Sequence, residues 1–467
     1  MGNGSLRHVN LSFNELHPET NFLVSLPGLA LQQIPGSVLS FPAIPFGFLF
    51  SVSNNNLTGE IPTSICNATF LQVLDLSSNS LAGSIPPCLP MENWNLGVLS
   101  LGRNNFSGNI PDTFSVNCSL KTLDLNRNVL KGKIPASLVN CPLLEVLNIG
   151  NNGIEDTFPR VLMNTSLRVL ILRSNKFYGD LQCSGAAIQG GSNLQIIDIS
   201  TNNFGGDISL LSFSNWKGMI SGNENQSQYN HLRFDYLKLS GYYYQDAVTV
   251  TMKGLEMELT KILVVFTSID FSRNKFHGSI PHTIGDLKSS YLLNLSHNAL
   301  TGLIPTPIGN LRQLGSLDLS VNHLTGKIPQ ELASLTFLSF LNLSFNRLFG
   351  KIPQGSQFQT FSAASYEGIA GLCGFPVNIN CNDEVRGENS SPELQNGQLY
   401  PEKEIEWSYI SAALGFAVGL ASTIWLLLCC ERWRKVYFEQ IDRILLKIFP
   451  HKDGRKGRVN INQVRRP

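Results

Sequence analysis

A short pattern that returns about every 24 residues constrains the fold of this chain more than any other feature. Each copy holds an asparagine and, two positions later, a leucine, isoleucine or phenylalanine. Successive copies lie 24, 25, 24, 24, 23 and 27 residues apart, then 72, then 24, 24 and 24. A unit of this size cannot bury its own apolar side chains, so the period indicates a solenoid in which neighbouring units stack. The eleven apolar anchors are Leu57, Leu81, Phe106, Leu130, Ile154, Phe177, Phe204, Phe276, Leu300, Leu324 and Leu348.

Each copy also carries the features of a short strand followed by a turn. Leu74 and Leu76 alternate with polar residues, which predicts a strand with one buried face. Gly83 and Pro86, with their equivalents in other copies, shape the opposite, convex side of the coil. The sequence therefore predicts an α/β repeat solenoid, a superhelix of leucine-rich repeats.

The recurring asparagine has a separate structural role. Its side chain is expected to hydrogen-bond backbone groups of adjoining coils, because those groups need partners once they are buried. Stacked along the solenoid, the asparagines would form a ladder. Its predicted members are Asn79, Asn104, Asn128, Asn152, Asn175, Asn202, Asn274, Asn298, Asn322 and Asn346.

The outward side of the predicted strands is the candidate ligand-binding face, and we call it the strand face. Its polar residues recur in successive copies, where they either contact a ligand or simply solvate the strand. No readable code connects such residues to one particular ligand. The candidates are Gln72, Asp75, Ser100, Asp124, Asn148, Asp198, Asp270, Asn294 and Asp318.

The step of 72 residues leaves an insertion, residues 210–264, which we call the island. Five of the eleven tyrosines of the chain fall in Tyr229–Tyr244. Tyrosine supplies a broad contact area and a polar tip at low entropic cost, so it suits recognition. We therefore predict that Tyr242, Tyr243 and Tyr244 contact a ligand. The alternative is a loop that packs its aromatic side chains on the solenoid.

The uncharged segment Ser408–Cys430 predicts one transmembrane helix, because about 20 helical residues cross a hydrocarbon core of roughly 30 Å. A buried soluble helix is the alternative. Basic residues follow the segment, so the C-terminus is expected in the cytoplasm and the N-terminal side outside the plasma membrane. Ser411, Gly415 and Gly419 form a ridge of small residues along which a second helix is able to pack closely.

The regions beside this segment carry opposite charges. Residues 382–407 contain seven acidic and two basic residues, whereas residues 431–467 contain four acidic and eleven basic residues. The basic tail is either an amphipathic helix on the anionic leaflet or unstructured. Its 37 residues are too few for a kinase domain. Because the chain has no phosphate loop, nucleophile–base set or metal-ligand cluster in its sequence, we expect neither an enzyme nor a cofactor. Nucleic acid is not an expected partner.

The nine cysteines suggest an oxidising compartment and three bridges. Cys373 and Cys381 follow the last repeat, where a short disulfide loop would close the exposed end of the core. Two further pairs, one repeat apart, would bridge adjacent coils, and Cys183 is then left over. Cys429 and Cys430 are either palmitoylated or apolar-tolerant thiols. The two coil-bridging candidates are Cys66 with Cys88 and Cys118 with Cys141.

Eleven N-x-S/T sequons occur, and all of them precede Ser408–Cys430, as a secreted ectodomain requires. Several arise simply because the repeat is rich in Asn and Ser. The candidate glycosylation sites are Asn3, Asn10, Asn56, Asn67, Asn105, Asn117, Asn164, Asn225, Asn294, Asn342 and Asn389.

These features divide the chain into eight predicted segments. The first contains a degenerate copy of the repeat, in a region that is either a damaged repeat or a gene-model join. The segments are a degenerate N-terminal part (1–45), repeats (46–209), the island (210–264), four further repeats (265–354), a cysteine cap (355–381), an acidic spacer (382–407), the membrane span (408–430) and a basic tail (431–467).

Four quoted stretches carry a family resemblance: "SVSNNNLTGEIPTSICN", "LVNCPLLEVLNIGNN", "YYYQDAVTVTMKGLEMEL" and "SYEGIAGLCGFP". Together with the island, the spacer, the span and the short tail, they resemble plant receptor-like proteins of the disease-resistance class over about Phe46 to Arg434. The ending "LxGxIP" is similar to the plant extracellular subtype of the leucine-rich repeat.

The resemblance implies a plasma-membrane receptor without a kinase domain that works with a leucine-rich-repeat adaptor kinase. It implies ligand and co-receptor contacts at the island and the last four repeats. It assigns adaptor binding to Gly415 and Gly419 and to the acidic residues Glu402, Glu404 and Glu406. The family's signal peptide, cysteine-containing N-terminal cap and many of its repeats have no counterpart in this sequence, so we expect that the N-terminal part of a longer receptor is missing.

The leading hypothesis is a receptor that binds an extracellular peptide, protein or glycan and signals in plant defence through a partner kinase. A truncated, non-signalling or decoy product is one alternative. A binding module similar to the plant inhibitors of cell-wall hydrolases is another, although those inhibitors are secreted and soluble.

Overall fold

The computed structural model describes residues 8–10, 49–92, 95–181, 193–220, 231–236 and 243–381. All of them belong to the first of the two units into which the chain divides, Met1–Val385. Within these ranges, a leucine-rich-repeat solenoid is present, as the spacing predicts.

Twelve three-residue strands form one long parallel sheet, and each strand comes from a successive coil. A rise of about 3.3 Å per residue makes each strand only about 10 Å long, so the sheet gains its extent from the number of coils. The strands are His8–Asn10, Leu49–Ser51, Val73–Asp75, Val98–Ser100, Thr122–Asp124, Val146–Asn148, Val169–Ile171, Ile196–Asp198, Ser268–Asp270, Leu292–Asn294, Ser316–Asp318 and Phe340–Asn342.

A second set of short parallel strands runs along the convex side. Most of these strands contain or directly precede the glycine of the "LxGxIP" motif, which adopts a positive φ angle, as Gly83 does at 82°. They are Thr58–Glu60, Ser80–Gly83, Asn105–Asn109, Val129–Gly132, Gly153–Ile154, Tyr178–Asp180, Asn203–Gly205, His277–Ser279, Ala299–Thr301, Thr325–Gly326, Arg347–Lys351 and Gly371–Cys373.

The convex connections are 3₁₀ helices rather than the α-helices that the α/β prediction implies. Among the described residues only Cys88–Glu92 and Lys217–Ile220 are α-helical. A coil of about 24 residues has no room for a longer helix, and the motif proline begins most of the 3₁₀ turns. The 3₁₀ helices are Thr63–Asn67, Ala136–Asn140, Arg160–Asn164, Ile208–Leu210, His282–Asp286, Thr306–Asn310, Gln330–Ser334, Phe358–Thr360 and Ala363–Tyr366.

The predicted asparagine ladder is confirmed. In a representative rung, Asn322 Oδ1 accepts a hydrogen bond from the Leu300 N–H at 3.0 Å. Its Nδ2 donates to the carbonyl oxygens of Leu295, Leu319 and Ser320 at 3.1–3.2 Å. The other nine predicted asparagines make the same set of contacts with their own neighbours. Each side chain therefore ties its coil to the preceding ones.

The solenoid continues across the island. The strand Ile196–Asp198 pairs directly with Ser268–Asp270, and Asn274 Oδ1 accepts from the Phe204 N–H at 3.1 Å. The Phe204 ring stacks between those of Phe177 and Phe276, at centroid distances of 5.8 and 6.5 Å. The island thus leaves one coil and returns to the next without interrupting the core.

The first part of the island belongs to the solenoid, and the later part packs on the outside of it. Phe213, Trp216 and Met219 are buried in the leucine core, so residues 211–219 complete a coil of the solenoid. The later part forms two antiparallel hairpins. One pairs Arg233–Asp235 with Tyr243–Gln245, and the other pairs Val248–Met252 with Leu255–Leu259.

The C-terminal edge of the long sheet is covered by the segment after the last repeat. The Leu343 and Phe345 N–H groups donate to the Ser365 and Glu367 carbonyl oxygens at 2.8 and 2.7 Å. The strand that ends at Cys373 pairs with Arg347–Lys351 on the convex side. Three disulfides join Cys66 to Cys88, Cys118 to Cys141, and Cys373 to Cys381.

Within the part of the chain that the structure describes, no helix is long and apolar enough to cross a bilayer. The predicted span Ser408–Cys430 lies outside the described residues, as do its ridge residues Ser411, Gly415 and Gly419. The acidic spacer, the basic tail and Cys183 lie outside them too.

Candidate functional site

The strand pairing brings the predicted face residues into one column. Asp75, Ser100, Asp124 and Asn148 stand side by side on consecutive strands. Asp198, Asp270, Asn294 and Asp318 continue the column in the same register. Gln72 directly precedes its strand and is half-buried.

Most acids and amides in this column are held rigidly by the residue two positions later. Asp318 Oδ1, for example, accepts from the Ser320 N–H at 3.0 Å and from its hydroxyl at 2.7 Å. Asp75 and Asp270 make the same two contacts with Ser77 and Ser272. The column is therefore a row of fixed acceptors rather than a set of mobile side chains.

The island folds back over the strand face of the coils that precede it. Val248, Val250 and Ile262 of the island pack on an apolar patch of the sheet and are themselves buried. This patch consists of Val146, Val169, Ile171 and Ile196, and Leu232 and Val264 complete the cluster from the island side. Burying aliphatic side chains of this size stabilises the contact by about 1.5–3 kcal/mol each.

A second contact lies nearer the N-terminal end of the sheet. Tyr236, together with the half-buried Phe234 and Tyr244, packs on a cluster formed by Leu49, Val73 and Val98. Gly97 makes room for this contact, because a Cβ there would stand 2.1 Å from the Phe234 ring.

Charged groups bind the second hairpin to the rim of the strand face. Arg103 pairs with Glu258 at 3.0 Å, and Arg127 pairs with Glu256 at 2.6 Å. The buried Arg173 lies 3.1 Å from Glu256 and 3.8 Å from Asp198. Burial raises the pKa of Asp198, and the charge of Arg173 opposes that shift.

Buried acidic groups also lie under the island. Asp246 Oδ1 accepts a hydrogen bond from the Thr122 hydroxyl at 2.8 Å. Burial raises the pKa of Asp246 to about 7 and that of Asp124 to about 6. Burial likewise raises the pKa of the Tyr244 phenol well above its ordinary value, with nearby carboxylates such as Asp75 adding to the shift.

A polar cavity of about 210 Å³ remains between the island and the strand face. Asp75 and Asp124 line it from the sheet, and Tyr244 and Glu258 line it from the island. Arg103 contributes a positive charge to the same wall. The cavity is therefore hydrophilic and opens beside the column residues that the sequence singles out.

Past the island the strand face is more open. Asn294, Asp318 and Asn342 are half-buried there. At the corner that follows these strands, Arg273 is exposed, and 51% of the Phe345 surface is accessible. His297 occupies the same corner, where burial and the neighbouring Arg273 lower its pKa.

Not every predicted contact residue is accessible. Asp198 and Asp270 are each 2% exposed, and burial raises the pKa of Asp270 to about 7. Tyr244 lines the cavity with its ring packed on the sheet, whereas Tyr243 is 39% exposed and stacks under the Arg233 guanidinium at 4.5 Å. Tyr242 lies outside the described residues.

The sequons fall into three groups. The first is exposed on the convex and lateral surfaces, where glycans would have room: Asn56, Asn67, Asn105, Asn117 and Asn164. Asn294 and Asn342 lie in strands of the long sheet and are half-buried. The side chains of Asn3, Asn10, Asn225 and Asn389 lie outside the described part.

Sequence reasoning missed the residues that hold the island, namely Thr122 with Asp246 and the arginine–glutamate pairs. A signal for them was present. The first outward position of the strands before the island is mostly apolar, as in Val73, Val98 and Val169. After the island serine and apolar residues alternate there: Ser268, Leu292, Ser316 and Phe340. Apolar residues on a supposedly solvated face indicate that something covers them.

Two family models match the chain. The first, for the leucine rich repeat, matches residues 95–154 and 291–348. The second, also for the leucine rich repeat, matches residues 49–68 and 70–91.

Several curated Arabidopsis thaliana proteins are similar over most of the chain. Receptor-like protein 35 is 46% identical over 369 residues, which are 79% of this chain and 38% of that protein. Receptor-like protein 54 is 43% identical over 457 residues, which are 94% of this chain and 56% of that protein. The chain spans about two fifths of the length of several such relatives, including Receptor-like proteins 33 and 18.

Among solved structures, the Arabidopsis receptor kinase HAESA, in complex with the peptide hormone IDA and the co-receptor SERK1, aligns with a TM-score of 0.49 and 24% identity. The alignment covers 81% of this chain and 63% of that chain.

The stacked coils, the asparagine ladder and the outward sheet define a leucine-rich-repeat protein. Similarity to curated relatives refines this class. The chain belongs to the plant leucine-rich-repeat receptor-like proteins. This membership supports the prediction that it is not an enzyme.

Proposed function

We propose that this protein is a cell-surface receptor of plant defence that binds an extracellular ligand and signals through a partner kinase. The ligand, a peptide, protein or glycan of pathogen or apoplastic origin, binds along the strand face of the last four repeats and the adjoining island. The relatives named receptor-like proteins support this assignment.

The observation that carries the proposal is the contrast along the strand face. The island occupies the coils before it, while Arg273, His297 and Phe345 remain accessible beyond it. This stretch combines a cation, an imidazole and an aromatic ring beside the fixed acceptor Asp318. Such a mixture of rigid polar and aromatic groups suits recognition of a polar macromolecule.

Signalling requires a partner, because the 37 residues after the predicted span are too few for a kinase domain. The proposed adaptor, a leucine-rich-repeat receptor kinase, packs its own span along Ser411, Gly415 and Gly419 beside the acidic juxtamembrane residues. A co-receptor kinase contacts the island and the last repeats. The receptor lies in the plasma membrane as a single-pass type I protein with eleven potential glycosylation sites.

The tagged full chain, expressed in leaf tissue and purified from solubilised membranes, tests the partner. We expect an adaptor kinase to co-purify with it and to be lost when Gly415→Leu and Gly419→Leu are combined. Ala417→Leu is the matched control. Because residues advance by about 100° on a helix, Ala417 would lie on the side opposite the ridge if the predicted span is helical. Recovery of no kinase, or equal loss with the control, would count against the proposal.

Surface biotinylation and endoglycosidase digestion of the same cells test the location. A labelled product with mature glycans agrees with a receptor. A product that is unlabelled and fully endoglycosidase-sensitive instead supports the non-signalling alternative.

A further inference from the structure

We propose that the later part of the island, residues 231–236 and 243–264, is a displaceable cover of the strand face, and that acidity governs whether it stays packed there. Lifting the island would open the polar cavity and the apolar patch to solvent. The inference concerns the island alone and stands whether or not a kinase partner is found.

The first support is that the island packs on the solenoid without contributing to its core there. Val248, Val250 and Ile262 belong to a cluster that is separate from the main leucine core. The long sheet closes beneath the island, because Asp198 pairs in register with Asp270. Lifting residues 231–236 and 243–264 therefore breaks contacts at the strand face but leaves the stacked coils and their ladder intact.

The second support is the placement of Asp246 in the middle of this contact. Its Oδ1 accepts from the Thr122 hydroxyl across the interface, and the residue is 5% exposed. The groups that face it from the sheet are Asp124, Glu145 and Lys121, two acids and one base. Lys121 is already paired with Glu145 at 3.2 Å, so the charge of an ionised Asp246 would have no partner of its own.

Tyr244, which lies two residues before Asp246 in the island, further disfavours a negative charge on Asp246. Tyr244 lies in the same contact, half-buried and close to Asp75, Asp124 and Asp246. Its phenol hydrogen-bonds with Ser100 and carries no charge at neutral pH. Seating the island therefore favours the protonated carboxyl of Asp246, since moving an unpaired carboxylate from water into this site is costly.

The direction of the pH dependence follows from this preference. Burial raises the pKa of Asp246 to about 7 in the seated island. A free aspartate has a pKa near ~3.9. A carboxyl whose pKa is higher in the seated form stabilises that form at low pH, and the contribution is lost as the pH rises to about 7. Between pH 5.5 and 7.5, this one group weakens seating by roughly 20-fold.

Asp124 adds to the effect in the same direction. It lines the cavity under the island, and burial raises its pKa to about 6. Between pH 5.5 and 7.5 its contribution is roughly 4-fold, smaller than that of Asp246.

Thiol labelling of the full chain measures how often the island opens. Val250→Cys places a thiol in the buried contact, and Leu255→Cys places one at an exposed position of the same hairpin. Dithiodipyridine reacts with thiols in mildly acidic solution, and peptide mass analysis reports each site. The ratio of the Val250→Cys rate to the Leu255→Cys rate cancels the intrinsic pH dependence of thiol reactivity.

We expect this ratio to rise by roughly 20-fold or more from pH 5.5 to 7.5. In an Asp246→Asn background, which keeps an acceptor for Thr122, the rise should fall to the few-fold contribution of Asp124. Leu317→Cys, in the leucine core, should show no such rise because the coils do not open. If Val250→Cys impairs folding, Val248→Cys serves at the same contact.

Three results would overturn the proposal. The ratio could be level across the pH range in the original background. It could rise equally with Asp246→Asn, which would assign the effect to another group. Finally, Leu317→Cys could follow the same curve, which would indicate general unfolding instead of movement of the island.

Discussion

Replacing a single ladder asparagine, Asn322→Ala, tests whether the ladder stabilises the solenoid as its geometry indicates. The amide makes four hydrogen bonds, but they are not equally important. The Leu295 carbonyl also accepts from Asn298, and the Leu319 carbonyl also accepts from Asn346. The Ser320 carbonyl keeps a main-chain donor, the His297 N–H at 2.9 Å.

The Leu300 N–H is the group most affected, because Asn322 Oδ1 is the acceptor placed for it. An unsatisfied buried donor costs about 1–3 kcal/mol. Weakened bonds to three carbonyls and a small void add several tenths of a kcal/mol more. The expected loss is therefore about 2–3 kcal/mol for this coil, which corresponds to roughly 30- to 150-fold faster opening.

Native-state hydrogen exchange on the purified full chain measures this loss locally, with fragmentation that resolves the Leu300 amide. A local probe is appropriate because repeat solenoids need not unfold in one step. His323→Ala is the matched control, since that side chain is exposed and belongs to the same coil. We expect the control to change stability by less than about 0.5 kcal/mol. Equal exchange rates in the two variants would refute the reasoning, because they would mean that the Leu300 N–H needs no buried acceptor.

Two further predictions concern the packing of the coils on either side of the island and the contact between the island and the sheet. Phe204→Ala should lower the free energy of unfolding in urea by about 3–5 kcal/mol, because the ring is fully buried between two others. Phe204→Leu, the control, should lower it by roughly 1–2 kcal/mol. Equal losses in the two variants would contradict a packing role. Gly97→Ala should displace the Phe234 ring from its contact with the sheet and thereby speed proteolysis of the island. Gly205→Ala, whose Cβ would meet its first neighbour at 3.7 Å, should leave proteolysis unchanged, and the same rate in both variants would argue against the steric account.

The repeat architecture was predictable because its signals are local and recur. The anchors, the ladder and the strand positions each depend on residues within one coil, so every copy tests the same rule. Asn79 and Asn346, at opposite ends of the series, make equivalent hydrogen bonds. The α-helical content was overestimated because the motif proline and glycine produce 3₁₀ turns and short strands instead.

The packing of the island on the strand face could not be predicted in the same way. The island contains no repeat, and its contacts join residues far apart in the chain, such as Thr122 and Asp246 at a separation of 124 residues. The alternation of apolar and polar residues in Ala247–Met252 is typical of a strand, but it does not indicate the surface on which the strand lies. Several residues that the sequence predicts on an open face are therefore buried in the structure: Asp75, Ser100, Asn148, Asp198 and Asp270.

The strands that end at Asp198 and Asp270 pair in register. The stability of the coils therefore depends little on the length of the island between them. A loop whose ends are already fixed side by side pays mainly for chain closure, and each doubling of its length costs only about 0.6 kcal/mol. Stability of the coils therefore places little constraint on what is inserted there. Lineages could lengthen, shorten or replace this segment while keeping the same scaffold. A graft that begins after Met219, the last core residue of its coil, and ends before Ser268 should fold wherever the flanking asparagines are retained.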